Sequence, residues 1–317
     1  MPSFDAYSLM DFSARSSPSP VKPTADACWL GTATRGGRVR AEYFRTRSEA
    51  MARWSAWVEQ QVQQHRRVLA GFDFAFGYPQ GFTEARTSSR SRKPWRTTWT
   101  TLATEIEDDD TNRNNRFEVA SQLNESIGTD RLGPFWGGPP TMLANYRALH
   151  PKRRFDWPYD TKRNTALPRL RLTDQLAPNA QEAWKLAGIG SVGSQSLLGI
   201  AALGRLLGFG KSSAASWATH AQIWPFQHGF TPPSSPADQP AVTLVEAFPS
   251  LLGDRVDARM NPHDNIRDAA QVDAWCRWAR DQDRRGRLTK HFATPAQLTA
   301  EQAAACVAEE GWIFGVT

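Results

Sequence analysis

In the segment VLAGFDFAFGYPQGF (residues 68–82), an apolar run ends on one carboxylate, Asp73, just before a Gly-Tyr-Pro turn. A short apolar run bounded by turn residues reads as a buried strand. Asp at such a point commonly bonds its own backbone as a turn residue. It has a second use when several strands each deliver an acid to one place, where the acids together hold a metal.

The flanking sequence supplies candidates for such a gathering. AYSLMDFSA is a short strand ending at Asp11, followed by the Ser/Pro loop RSSPSPVKP. ACWLGTATRGG and RVRAEYFRT form a hairpin turning at Gly36-Gly37. Thr46 and Glu49 have capping-box spacing before a helix on which Ala50, Trp54, Trp57, Val58 and Val62 share one face. The order is therefore strand, strand, strand, helix, strand. Further on, HAQIWPFQHGF is strand-like and PPSSPADQP is a loop. AVTLVEAFPS repeats the opening pattern, with a β-rich run ending in Glu246 before Pro249. NIRDAAQVDAWCRWARDQD is an amphipathic helix with Asp268 near its start and Asp273 five positions later. LTAEQAAACVAEE carries a second capping-box spacing, Thr299 to Gln302, and GWIFGV follows it.

In α/β sheets, ligand sites gather beyond the carboxyl ends of parallel strands. Asp11, Asp73, Glu246 and Asp268 are thereby candidates to meet despite their sequence separation. Mg²⁺ and Mn²⁺ take oxygen ligands, and clustered carboxylates supply both oxygens and compensating charge. Two such ions side by side clamp the attacking and leaving oxygens of a phosphodiester. Without a cation or protons, the same acids repel one another.

Composition narrows the classes. At 317 residues with 40% hydrophobic content and thirteen Trp, the chain is a folded protein with room for a sizeable core. Three widely separated cysteines without a CxxC pair argue against a disulfide framework or zinc site, and point to a reducing cytoplasm. No signal peptide or transmembrane stretch is expected, so no membrane partner is either. The net charge of +6 permits a polyanionic partner. It is concentrated in residues 147–171, with eight Lys/Arg against two Asp, and in RTSSRSRKPWR (86–96).

Other motifs are near misses. GIGSVG (188–193) matches GxGxxG, but NAQEAWKLA before it reads as helix, whereas a dinucleotide fingerprint needs a strand there. The loop still has an anion-binding form, because a helix starting near Ser194 and running to about Leu207 presents open backbone N–H groups. Gly193, Ser191, Ser194 and Gln195 are its candidate substrate contacts. GFGKSS (208–213) lacks the first glycine and preceding strand of a phosphate loop. In NRNNRF (112–117), Arg113 and Arg116 are candidate phosphate contacts, while Asn112 or Asn114 caps the helix that follows. His263, one residue before Asp264, is either a proton shuttle or a solvated loop histidine.

The phrases MDFSA, GFDFAFGYP, NRNNRF, PFWGGP, WKLAGIGSVGSQSLLGI, VEAFPSLL, DAAQVDA and EEGWIFG span nearly the whole chain. Together with the element order, they resemble an uncharacterised bacterial group of RNase H-like proteins. The resemblance implies an α/β fold with an RNase H-like mixed sheet flanked by helices. The chain then reads as one discontinuous domain, with core residues 1–80 and 236–317; the helical and loop insertion at 81–235 departs from the group's pattern, being far larger than a minimal core needs. The resemblance assigns Asp11 to the first-strand acid, Asp73 to the fourth, Glu246 to the later strand and Asp268 to the closing helix, with Asp273 also fitting the last. Ser13, in MDFSA, joins the candidate substrate contacts. The resemblance brings no known reaction with it; the clustered acids and the basic insertion point to Mg²⁺- or Mn²⁺-dependent phosphodiester hydrolysis on nucleic acid or another phosphorylated substrate. A nucleotide-binding or phosphotransfer protein of actin-like geometry, and a non-catalytic nucleic-acid-binding module, are the alternatives.

Overall fold

The computed structural model describes residues 3–87, 91–129, 132–188, 190–233 and 239–317. Part of the basic run (88–90), Ile189 of GIGSVG and most of the PPSSPADQP loop (234–238) lie outside the described residues. The strands are β1 (Ala6–Asp11), β2 (Cys28–Thr34), β3 (Arg40–Phe44), β4 (Val68–Phe72), β5 (Tyr159–Asp160), β6 (Ala166–Leu167), β7 (Ala221–Ile223) and β8 (Val242–Glu246). The helices are α1 (Arg47–Gln63), α2 (Phe82–Arg86), α3 (Pro94–Glu105), α4 (Arg116–Ile127), α5 (Leu172–Leu176), α6 (Val192–Leu206), α7 (Gly253–Asp257), α8 (Arg267–Arg284) and α9 (Ala300–Ala305).

Six strands form one mixed sheet in the order β3-β2-β1-β4-β8-β7. β1, β2 and β3 are antiparallel neighbours, and β1, β4, β8 and β7 run parallel. β5 and β6 make a separate small hairpin. This is an α/β protein with helices on both faces of the sheet. No helix among the described residues is long and apolar enough to cross a membrane.

Alternation along the strands sends successive side chains to opposite faces. Met10, Phe72 and Leu244 enter one apolar cluster with Trp54 of α1 and Leu197 of α6. Leu9, Leu69 and Val245 enter the other, with Val272 and Trp275 of α8. Both capping boxes form as the sequence predicts: Thr46 accepts from Glu49 N at the start of α1, and Thr299 from Gln302 N at the start of α9.

Residues 81–235 are woven into this frame. α6 packs along α3, and a Cβ at Gly199 of α6 would strike the Phe74 ring. β7, inside the same stretch, extends the sheet beside β8 and stops before Pro225, which has no N–H to continue the ladder. NAQEAWKLA is not helical. Asn179 takes a left-handed conformation, and residues 184–186 pair with Trp136, whose N–H reaches Trp184 O while Leu186 N reaches Trp136 O. Those groups are thereby spent outside any helix. GWIFGV lies beside β8 through an isolated bridge from Glu246 to Ile313.

α8 sits so close to the sheet that two glycines are required beneath it. A Cβ at Gly31 would lie 2.5 Å from the Val272 carbonyl oxygen, and one at Gly71 would lie 2.9 Å from the Trp275 ring. Gly31→Ala is therefore expected to destabilise the fold by about 1–3 kcal/mol, since overpacking against backbone has nowhere to relax. Chemical denaturation with an unchanged slope and a lower midpoint would register it.

Candidate functional site

Parallel pairing of β1 with β4 places Met10 opposite Phe72. The next residue on each strand is an aspartate, and Asp73 N donates to Met10 O at 3.0 Å. Asp11 and Asp73 therefore leave adjacent strands side by side, on the face covered by α8. Asp268, in the first turn of α8, reaches the same place. All three line a cleft of about 650 Å³.

Glu246 does not join them. β8 is in register with Phe72, not with Asp73, so Glu246 is one position short and points to the opposite face. There the buried Arg171 guanidinium donates to both of its carboxylate oxygens, at 2.7 and 2.6 Å, and to Asp174 at 2.8 and 3.0 Å. The Phe76 N–H also donates to Glu246. This carboxylate ties the end of β8 to the 171–174 segment.

Asp273 is likewise engaged elsewhere. Burial alone would raise its pKa, but hydrogen bonds from Arg277, His263 and Arg259 hold it below the usual carboxylate range. Of the two closing acids, Asp268 is the one in the cleft. His263 contacts Asp273 at 2.9 Å and takes no place at the cleft.

The cleft acids have the opposite electrostatics. Burial pushes the Asp11 carboxyl well above its ordinary value, and the nearby Asp73, Asp268 and Asp26 add to this. Burial, then Asp268 and Glu246, push Asp73 up to about 7. Burial also raises Asp268, with the Asp26 carboxylate adding to it against stabilising backbone N–H bonds from Asp26 and Ala27. Among the described residues, no lysine or arginine offsets Asp11 or Asp73, and no protein donor hydrogen-bonds to either carboxylate.

The opposite wall is built by the 188–195 segment and the start of α4. Arg116 is buried, with its Nε donating to Ser194 Oγ at 2.9 Å and its Nη1 to Ser16 Oγ and Asn114 Oδ1. Ser194 Oγ donates to Leu186 O, so it positions Arg116 from behind. Ser191 is the N-cap residue of α6 and lines the cleft, and no side chain caps that helix. Gln195 also lines it and donates to Phe12 O at 2.8 Å. Gly193 lies beneath, where a Cβ would come within 2.6 Å of Ala183 O. Ser13 lines the cleft and donates to Asp26 O. Arg113 stays outside, exposed and paired with Asp109.

Of the asparagines of NRNNRF, Asn114 stands at the start of α4, its Oδ1 accepting from Arg116 N at 3.4 Å, and the others are scaffold. Asn115 occupies the N-cap of α4, but its side chain accepts from Glu107 N and donates to Glu105 O instead of capping, and Asn112 Oδ1 accepts from Arg47 N. Arg47, paired with Asp108, donates to Ser13 O and Arg15 O and so fixes the loop that carries Ser13 and Arg15. Sequence reasoning did not single out Arg15, Asp26 or Gln271, which also line the cleft. Gln271 was within reach of it, since i,i+3 spacing from Asp268 puts both on one helix face.

Asp11 and Asp73 supply hard oxygen donors without competing protein partners, which suits Mg²⁺ or Mn²⁺. Among the described residues, no group of three or more His, Cys, Asp or Glu is arranged to hold a metal ion. A two-carboxylate site asks for less: Mg²⁺ is usually held by one or two carboxylates and completed by water and substrate phosphate. No protein-family model matches this chain, and no curated protein or solved structure matches it significantly.

Because the folded-state pKa of Asp73 lies above its unfolded value, the native protein binds the extra proton. That stabilisation is complete below about pH 4 and is lost as pH rises through about 7. In metal-free buffer, Asp73→Asn is therefore expected to melt higher than wild type at pH 8, with the gap closing toward pH 5. Melting curves across this range check the sign.

Proposed function

We propose that this protein is a metal-dependent hydrolase of phosphodiesters, with Asp11 and Asp73 holding Mg²⁺ or Mn²⁺ and Asp268 as the third cleft carboxylate. The observation that carries the reading is a pair of adjacent aspartates, Asp11 buried and Asp73 half-buried, facing a cleft with no cation or donor to offset them. Confining two like charges at low dielectric is costly, and a divalent ion removes that cost. The succession of three antiparallel strands, a helix and a parallel fourth strand supports the RNase H-like reading of the sheet. Three free, buried cysteines accord with a cytoplasmic setting.

When bound, the cation supplies Lewis-acid activation of water and neutralises charge developing on the phosphate. The chain's own groups do the rest. Asp11 and Asp73, fixed by strand pairing, set where the cation sits. Asp268, held by the Asp26 N–H at 2.7 Å, is placed to accept a proton at its other oxygen. Arg116 lies on the far wall, where it draws a phosphate oxygen away from the carboxylates. Glu246 has a structural part only.

Hydrolysis of bis(p-nitrophenyl) phosphate with Mn²⁺ tests this directly. Asp11→Asn and Asp73→Asn should each lose about 100-fold or more in rate, the scale of removing a group that stabilises transition-state charge. Equal rates in wild type and both variants would refute the assignment.

A further inference from the structure

Among the described residues, three arginines are buried: Arg47, Arg116 and Arg171. Two have carboxylate partners, Arg47 with Asp108 and Arg171 with Asp174 and Glu246. Arg116 is the exception. It is 7% exposed, yet all its hydrogen-bond acceptors, Ser194, Ser16 and Asn114, are neutral. Its Nη2 donates no hydrogen bond among the described residues, and its side chain lines the cleft. A buried guanidinium normally has a counter-charge. Here the position for one is open and faces the cleft, and the planar fork of the group matches phosphate oxygens.

The surroundings agree. Ser191 opens α6 at the same cleft, and the first turn of that long helix, whose Gly193 N–H is taken by Lys185 O but which no side chain caps, favours an anion. Arg15, exposed on the loop fixed by Arg47, lines the same cleft. The cleft thus holds two acids without a cationic partner and, across from them, a guanidinium with no carboxylate in hydrogen-bond contact, Asp108 acting on it only through space.

The extent of the positive wall sets the ligand's size. Binding a stretch of nucleic acid backbone takes a line of cations. Among the described residues, Arg15 and Arg116 alone bring positive charge to the lining of this cleft. Arg92 and Lys93 of the basic run line a different groove with Trp95 and Phe226, and Arg113 is spent on Asp109. A cleft of about 650 Å³ has the dimensions of a small-molecule site.

We infer that the cleft seats one terminal phosphate of a nucleotide-sized ester on Arg116, Arg15 and Ser191, and not a run of polymer backbone. The inference rests on the proposed hydrolase reading only for the chemistry on the opposite wall. Calorimetric titration of inorganic phosphate into the full chain in EDTA tests the subsite without any metal. Wild type should bind saturably, Arg116→Lys should weaken binding roughly tenfold by losing the fork, and Arg15→Ala, whose side chain makes no hydrogen bond or ion pair among the described residues, should weaken it similarly. Asp73→Asn should bind phosphate at least as tightly as wild type. Absence of saturable binding, or equal affinity in wild type and both arginine variants, overturns the subsite. Mn²⁺-dependent diester hydrolysis by wild type would then still stand on its own.

A second titration fixes the ligand class, comparing a nucleoside 5′-monophosphate with a long 5′-phosphorylated single strand. Equal affinity and a shallow salt dependence for both are expected of an end-group site. Affinity that grows with length, with a steep salt slope, would mean backbone tracking and would overturn the inference.

Discussion

Parallel pairing of Met10 with Phe72 is the constraint from which the site follows. It fixes two aspartates at the same level on adjacent strands and on the same face of the sheet. Gly31 and Gly71 let α8 approach that face closely, and this brings Asp268 to the carboxyl ends of the strands. A slip of one residue in this register would send Asp11 and Asp73 to different faces and dissolve the cleft's acidic wall. The arrangement is costly without a ligand, because burial and mutual repulsion both act against the ionised forms.

Much of the fold was legible. β1 to β4, α1 and α8 follow from alternation, helical spacing and a capping box, which are local signals. The three strand-terminal acids were also legible as a group. What sequence could not resolve was phase. LMD, GFD and LVE look alike as strings, but β8 pairs one position short, so Glu246 faces away and binds Arg171. Register is set by pairing and packing between distant segments, and no single segment carries it. The same limit applies to Asp273, whose partners Arg259 and His263 come from the segment before α8 and Arg277 from α8 itself. NAQEAWKLA failed for a related reason, since its backbone groups pair with Trp136 across a long loop.

The long middle stretch contributes more than cover. Through α6 it forms part of the core, through Arg171 it takes up Glu246, and through Arg116 it furnishes the positive wall. Its general basicity was a poor guide to that last role. Arg113 and Arg116 stand three residues apart in one motif, yet one is exposed on a surface ion pair and the other is buried at the cleft. Burial without a carboxylate, rather than charge count, is what distinguishes Arg116.

The central claim is that Asp11 and Asp73 form one cation site. Electron paramagnetic resonance of Mn²⁺ titrated into wild type, Asp11→Asn and Asp73→Asn measures bound and free ion directly. The account predicts saturable binding in wild type and its loss in both variants, each of which remains folded. Binding that persists in Asp73→Asn, or none in wild type, would contradict it.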